Sequence, residues 1–190
     1  SALRQQVAKR ARRRFIHTAQ YGLDNAANLE LTGATLVRLN RMLARDRAAG
    51  EYRALDGRIE PFDRWVESPQ YRELVEAGDP VALAAAVHTQ VISLHPFAPG
   101  TDSGGNGRTA RMMADLVMLK SGLPPFHHDT RDAYLSQGSP WGEVAKRARK
   151  DVLATARKGV LAPSVTDSVP YFQRAFERAS ASLDRASAAK

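Results

Sequence analysis

Apolar residues recur at three- and four-residue spacing along most of the chain, and strand-like alternation is nearly absent, so the pattern predicts an all-α protein. One helix is expected from about Thr32 to Arg47. It carries Leu36, Leu39, Met42 and Leu43 on one side and Arg38, Arg41 and Arg45 on the other, and it ends at Ala49-Gly50, where glycine can take a left-handed turn. From Gly50 to Phe62 the glycines, Pro61 and the alternating segment Tyr52 to Ile59 predict a small β-hairpin or extended loop, the one β element expected. Helical patterning resumes at Phe62 to Trp65 and, behind the start signal Ser68-Pro69, at Tyr71 to Val75. Asp79-Pro80 then opens a strongly apolar helix, with Asp79 as N-cap and Pro80 at the first helical position. Its Val81, Leu83, Val87, Val91, Ile92 and Leu94 leave little polar surface, which predicts burial on most sides.

That helix runs into His95-Pro96-Phe97. Proline disfavours helical geometry in the residue before it, so His95 is placed at or just past the helix end. A glycine-rich turn leads to a second apolar helix, Asn106 to about Lys120, with Met112, Met113, Leu116 and Leu119 facing the core and Gly122 and Pro124-Pro125 as its stop. Further helices are expected at about Thr130 to Gln137 and Trp141 to Lys158. After Leu161 the composition turns to Ser, Pro and Thr, and Val169 to Ala188 reads as a terminal helix or a frayed tail. No internal repeat is present. The organisation predicted is a core domain over 29–160, a basic N-terminal helix or tail over 1–28, and a C-terminal helix or tail over 161–190.

Composition narrows the function classes. A chain of 190 residues with 43% hydrophobic and 25% charged residues suits one globular domain. No run approaches the roughly 18 apolar residues needed to cross a bilayer, and Ser1 to Phe15 has no apolar signal core, so a soluble protein is expected without a membrane partner. The absence of cysteine removes disulfides, zinc-thiolate sites and thiol nucleophiles, and fits a reducing compartment. A net charge of +8 points to polyanions: nucleotides, nucleic acid or acidic protein surfaces. Lys9, Arg10, Arg12, Arg13 and Arg14 concentrate part of it in one stretch, which reads first as a solvated helix face or tail.

The segment from His95 to Arg111 places a titratable base, an anion cradle and two cations between the ends of two buried helices. Glycines ahead of a helix N-terminus let several backbone N–H groups point at one place, where the helix dipole favours negative charge, so Gly105, Asn106 and Gly107 form a candidate phosphate nest. Arg108 and Arg111, three residues apart on the following helix, share a face and suit further phosphate oxygens. An imidazole can take the proton of an attacking hydroxyl, and His95 would approach the nest from the opposite helix. Together these residues describe a nucleotidyl-transfer site.

The same segment resembles the signature of Fic-domain proteins, H-P-F-x-[DE]-G-N-G-R-x-x-R, at His95, Pro96, Phe97, Gly105, Asn106, Gly107, Arg108 and Arg111. The resemblance extends to the helices on either side of the motif, and to Ala49 through Ile59, which look like the family's target-docking flap. In all it covers roughly Leu29 to Arg157. It implies a helical bundle with one small β-hairpin flap, and the transfer of AMP from ATP, with Mg2+, to a Ser, Thr or Tyr hydroxyl of a target protein, releasing pyrophosphate. In that reading His95 is the general base. The backbone of Gly105, Asn106 and Gly107 holds the α- and β-phosphates, the Asn106 side chain helps to fix the α-phosphate, and Arg108 and Arg111 bind the β- and γ-phosphates. Phe97 is core packing that anchors the loop. The flap residues Glu51, Tyr52, Arg53, Ala54 and Leu55 would pair with the target peptide. Tyr134 reads either as a base-pocket residue or as a buried structural tyrosine.

Two departures from the family pattern stand out. Seven residues, Ala98 to Gly104, separate Phe97 from the Gly-Asn-Gly turn where the ordinary motif has two, and Pro99 occupies the place of the usual acidic magnesium ligand. Asp102, the one carboxylate in this stretch, reads either as a displaced metal ligand or as a turn residue beside Ser103-Gly104. Gly107 argues against the phosphotransferase variant that carries lysine there. The family's inhibitory helix has its nearest counterpart in Ala26 to Leu31, which fails at both flanking positions, so Glu30 is assigned to the start of a core helix. Restraint is then absent, or comes from an antitoxin-like chain or a region outside this sequence. The alternatives are a Fic scaffold with another donor, either a different nucleotide or phosphocholine, and an inactive module that binds nucleotide or nucleic acid. A bacterial cytoplasm, or a host cytosol reached by delivery, is the expected location.

Overall fold

The computed structural model describes residues 2–43, 59–97, 105–128 and 168–188. They form seven helices: α1 (Ala2–Asn25), α2 (Gly33–Leu43), α3 (Glu60–Val66), α4 (Pro69–Glu76), α5 (Pro80–Leu94), α6 (Asn106–Lys120) and α7 (Val169–Ala188). The architecture is all-α, as the periodicity predicts. The expected hairpin flap and the helices expected at 130–137 and 141–158 lie outside the described residues.

The bundle is organised around α5 and α6, which pack against each other more extensively than any other pair. The side chains at a helix–helix contact set how closely two axes approach. Ala84, Ala85, Ala86 and Val87 of α5, and Ala110, Met113 and Ala114 of α6, are all fully buried. On α2, Leu36, Leu39 and Leu43 are buried as the apolar stripe predicts, and this helix packs on α6. Phe62 and Trp65 of α3 are buried as a tilted aromatic pair with centroids 5.7 Å apart. Val81, Leu83, Ile92 and Leu119, expected inside, are only partly buried and pack at the margin of the core.

The helix starts follow local chemistry. The Asp79 side chain accepts from the amides of Val81 and Ala82, each at 3.0 Å, ahead of Pro80. Ser68 accepts from the Tyr71 amide at 3.3 Å ahead of Pro69. Thr32 accepts from the Thr35 amide at 3.3 Å, so α2 begins after it and Glu30 is an exposed residue of the preceding connection, not the start of a core helix. Lys120, at the end of α6, closes that connection by donating to the carbonyls of Ala26 (3.2 Å) and Leu29 (2.7 Å).

Both ends of the described chain are helical. The basic start is α1, which packs on α2 and α6 and places its Tyr21 ring 4.6 Å from the Arg38 guanidinium. The C-terminal segment is α7, and it is no tail: Phe172 is fully buried, in edge-on contact with His88 and Phe126, each 5.0 Å between centroids. We expect Phe172→Ala to cost about 3–5 kcal/mol, because it opens a cavity among aromatic rings. Asp79→Ala should cost about 1 kcal/mol through the lost cap. Denaturant unfolding of the two variants checks both values, and a Phe172→Ala cost no greater than that of Asp79→Ala would place α7 outside the core.

Candidate active site

The site is built where α5 ends and α6 begins. Pro96 prevents the helix from continuing, and His95 absorbs the change of direction as the C-cap of α5, with φ 46° and ψ 58°. Its amide still donates to the Val91 carbonyl at 3.0 Å. His95 is the one non-glycine residue with positive φ among the described residues, and for an L-residue that conformation costs roughly 1–2 kcal/mol. Such strain persists only where neighbours hold it, and it concentrates at functional positions.

What holds it is a pair of hydrogen bonds from the far side of the loop. The Phe97 amide donates to Asn106 Oδ1 at 3.0 Å, and Asn106 Nδ2 donates to the Phe97 carbonyl at 3.0 Å. One side-chain amide thereby occupies both main-chain groups of Phe97, much as a neighbouring strand would. Asn106 is 2% exposed and the Phe97 ring is 1% exposed, so the clamp lies within the core. The burial of the ring agrees with the core packing expected of Phe97. The Asn106 side chain meets Phe97 through both of its polar atoms.

Asn106 is also the first residue of α6, and Gly105 before it adopts the left-handed conformation with φ 69°. Among the described residues no side chain caps this helix start, whose amides lie at the positive end of the helix dipole. Arg108 folds back over it: a β-carbon built on Gly105 would stand 3.4 Å from Arg108 Nη2 and 3.3 Å from Asn40 Nδ2. Beneath the turn, the buried Asn40 amide donates to Thr109 Oγ1 at 2.8 Å, and that hydroxyl donates to the Gly105 carbonyl at 3.1 Å. One turn further along α6, Arg111 and Asp115 share a face. Asp115 accepts from the Phe126 amide at 3.0 Å, and His88 and His128 complete the surroundings of Arg111.

This lower layer is dry. Burial pushes the Asp115 carboxyl up to about 7, against the lowering effects of the Phe126 amide and Arg111. Burial, then the neighbouring His128 and Arg111, hold His88 well below the ordinary imidazole range. Burial, then Arg111, Arg178 and His127, bring His128 down to about 3.

Six of the expected residues, His95, Gly105, Asn106, Gly107, Arg108 and Arg111, therefore sit on the two chain segments that the Asn106–Phe97 clamp joins. Asp102, the flap residues Glu51 to Leu55, and Tyr134 lie outside the described residues. Among the described residues no His, Asp or Glu cluster is assembled for a metal ion. Sequence reasoning missed Asn40, Thr109 and Asp115. Asn40 was visible as a polar residue within an apolar stripe, between Leu36 and Leu43, and Thr109 and Asp115 as polar residues inside a mostly apolar helix.

The clamped helix junction thus brings a histidine of positive φ, a helix N-terminus and two arginines together on a helical scaffold. Residues 30–118 match the model of the Fic/DOC family. Among curated proteins, the chain is 47% identical over 53 residues to protein adenylyltransferase fic-1 of Caenorhabditis briggsae, a match covering 28% of this chain and 10% of that protein. It is 49% identical over 47 residues to protein adenylyltransferase fic-1 of Caenorhabditis elegans, covering 25% and 8%. To protein adenylyltransferase Fic of Drosophila melanogaster it is 33% identical over 67 residues, covering 35% and 12%. The matched stretch thus spans about a tenth of each relative's length. A solved fragment of Fic-1 from C. elegans superposes with a TM-score of 0.45 and 20% identity, over 87% of this chain and 51% of that one.

The buried titrating groups predict opposing pH effects. Between the ordinary aspartate value of 3.8 and about 7, the folded chain keeps an Asp115 proton that the unfolded chain has lost, so this group's contribution falls as pH rises through that window. For His88 and His128 the unfolded chain takes up protons below 6.5 that the folded chain refuses, so stability is lost as pH falls from there toward 3. Asp115→Asn keeps an oxygen for the Phe126 amide and removes the titration. Its stability advantage over the parent should grow from pH 3.8 to 7 and then level off in a pH series of denaturant unfolding. A constant difference across the series would show that Asp115 does not titrate in that window.

Proposed function

We propose that this chain transfers AMP from ATP to a Ser, Thr or Tyr hydroxyl of a target protein and releases pyrophosphate. The observation that carries the reading is the Asn106–Phe97 clamp, which ties His95, two residues before Phe97, to the N-terminus of α6, the positive end of the helix dipole. His95 removes the proton of the target hydroxyl, whose oxygen forms a bond to the α-phosphorus as the bond to the β-phosphate oxygen breaks. The amides of Gly105, Asn106 and Gly107 and the guanidinium groups of Arg108 and Arg111 stabilise charge that builds on the α-phosphate and on departing pyrophosphate. The proton on His95 then passes to solvent or to the leaving group.

The similarity to proteins named adenylyltransferase supports the reaction class. ATP enters as its magnesium complex, and Asp102 is the proposed protein ligand to that ion. The flap, Glu51 to Leu55, is the proposed contact for the target peptide, and Tyr134 the proposed contact for the adenine. An antitoxin-like chain is the proposed restraint, and the cytosol of a bacterium or of a host cell the proposed location. A second reading, a nucleic-acid-binding module, draws on Lys9, Arg12 and Arg13, which are exposed on α1.

Intact-mass analysis of the chain, alone and in lysate, with magnesium and each nucleoside triphosphate tests these readings. We expect an AMP-sized mass gain on the chain or on a lysate protein. It should fall by about a hundred- to ten-thousand-fold in His95→Ala while ATP binding persists. Asp102→Ala should reduce the gain and raise the magnesium requirement. A gain from another donor would change the donor. No gain from any donor, together with DNA or RNA binding that falls steeply with salt and is indifferent to His95→Ala, would favour the binding module.

A further inference from the structure

The outer side of α1 carries a line of side chains that the bundle leaves exposed. Among the described residues, α1 meets the core through Thr18, which is fully buried, and through Ala19 and Tyr21 at the margin. Away from Thr18, positions 9, 16 and 23 fall on one line at seven-residue spacing, and 12 and 19 on the line beside it, which is the spacing of a helix-pairing seam. Lys9, Arg12, Ile16 and Leu23 on that seam are exposed, with Arg13 and Phe15 at its two edges. Of the five large apolar side chains that are exposed among the described residues, three stand together here: Phe15 (41%), Ile16 (55%) and Leu23 (53%).

The charge on the seam is one-sided. Positions three and four away from Lys9, Arg12 and Arg13, in either direction, hold no Asp or Glu. Lys9 itself lies three residues before Arg12 and four before Arg13, so these cations repel one another along the helix. Asp24, the one carboxylate of α1, lies near its other end and accepts from Gln20. The seam thus has cations in its first part and apolar side chains in its second, and it is complemented by a helix with the same division and the opposite charge.

We infer that α1 is a docking face for a helix of an acidic protein, whose apolar side chains cover Ile16 and Leu23 and whose carboxylates meet Lys9, Arg12 and Arg13. Other occupants fit less well. A second copy of a chain of net charge +8 brings like charge to the same face. A lipid surface takes a broad apolar arc, whereas here cations and apolar side chains follow one another along a narrow line. Nucleic acid would use the cations and give Ile16 and Leu23 nothing to contact. The inference is independent of the transfer reading, since no residue of the seam belongs to the segment from His95 to Arg111.

The test uses the whole chain and a labelled synthetic helix of three heptads, made in both sequence directions. The helix carries leucine where it faces Ile16 and Leu23 and glutamate where it faces Lys9, Arg12 and Arg13, and a scrambled peptide of the same composition is the control. By fluorescence anisotropy, Ile16→Glu and Leu23→Glu should each weaken binding roughly tenfold or more. Arg12→Glu should weaken it about three- to fivefold, and glutamate-to-lysine exchange at the facing peptide position should restore it. Val75→Glu, at an exposed apolar position on α4, should bind within about twofold of the parent. In lysate, the whole chain with Ile16→benzoylphenylalanine should photo-cross-link to a protein segment that is acidic and has apolar residues at three- and four-residue spacing.

Equal binding of designed and scrambled peptides would overturn the inference by reducing it to net charge. Phosphatidylserine vesicles that bind in place of the peptide and are lost in Ile16→Glu would assign the face to a lipid surface. Dimerisation of the parent that Ile16→Glu abolishes would assign it to a second copy. DNA or RNA binding that is indifferent to Ile16→Glu and Leu23→Glu, with no peptide bound, would assign the cations to nucleic acid. No peptide binding and no acidic segment cross-linked would overturn the inference and leave the transferase reading untouched.

Discussion

The molecule depends on one side-chain amide. Asn106 meets the N–H and the carbonyl of Phe97, and in doing so it joins the end of α5 to the start of α6. Both partners are buried, so the two hydrogen bonds form where water cannot compete and where their loss would leave main-chain groups unsatisfied. The rest of the site follows from this contact. The strained backbone of His95 is held by it, and the helix start of α6 is presented beside His95 because of it. The close contact of α5 with α6 supplies the base on which the clamp rests.

A second layer works by exclusion of water. Phe126, Tyr171 and Phe172 close over His88 and His128, and the imidazoles are kept neutral beside Arg111. Two charged histidines there would repel the guanidinium that the proposed reaction needs, so dryness and phosphate binding are mutually consistent. Part of this layer comes from α7, beyond the segment matched to the Fic/DOC family. Arg111 belongs to the signature, while the surroundings that tune it belong partly to this chain's own C-terminal helix.

Much of this was legible in the sequence because it is local. Helix starts at Ser68 and Asp79 were readable from a capping residue followed by proline, and the bounds of α6 from the glycines and prolines around it. His95 was readable as a helix end because Pro96 acts on its immediate neighbour. The contacts that were not legible are distant ones. Asn40 and Thr109 are 69 positions apart, and the placement of Phe172 against His88 depends on how α7 returns to α5. The misassignment of Glu30 has a similar origin, since Thr32, nearer the true boundary, makes the local bond that starts α2. The Asn106–Phe97 contact was not legible either, because spacing conveys nothing about which way an amide turns.

The clamp reads main chain, and this has a consequence for how such a domain can vary. In the sequence, residues 98–104 lie between Phe97 and Gly105, and the clamp of Phe97 to Asn106 fixes the two points between which they must run. Closing a loop of seven residues in place of two costs only roughly 1 kcal/mol more chain entropy, because that cost grows with the logarithm of length. Insertions at this point therefore leave the spacing of histidine and helix start untouched. A segment inserted here can be lengthened or rewritten while His95 and the start of α6 stay in register.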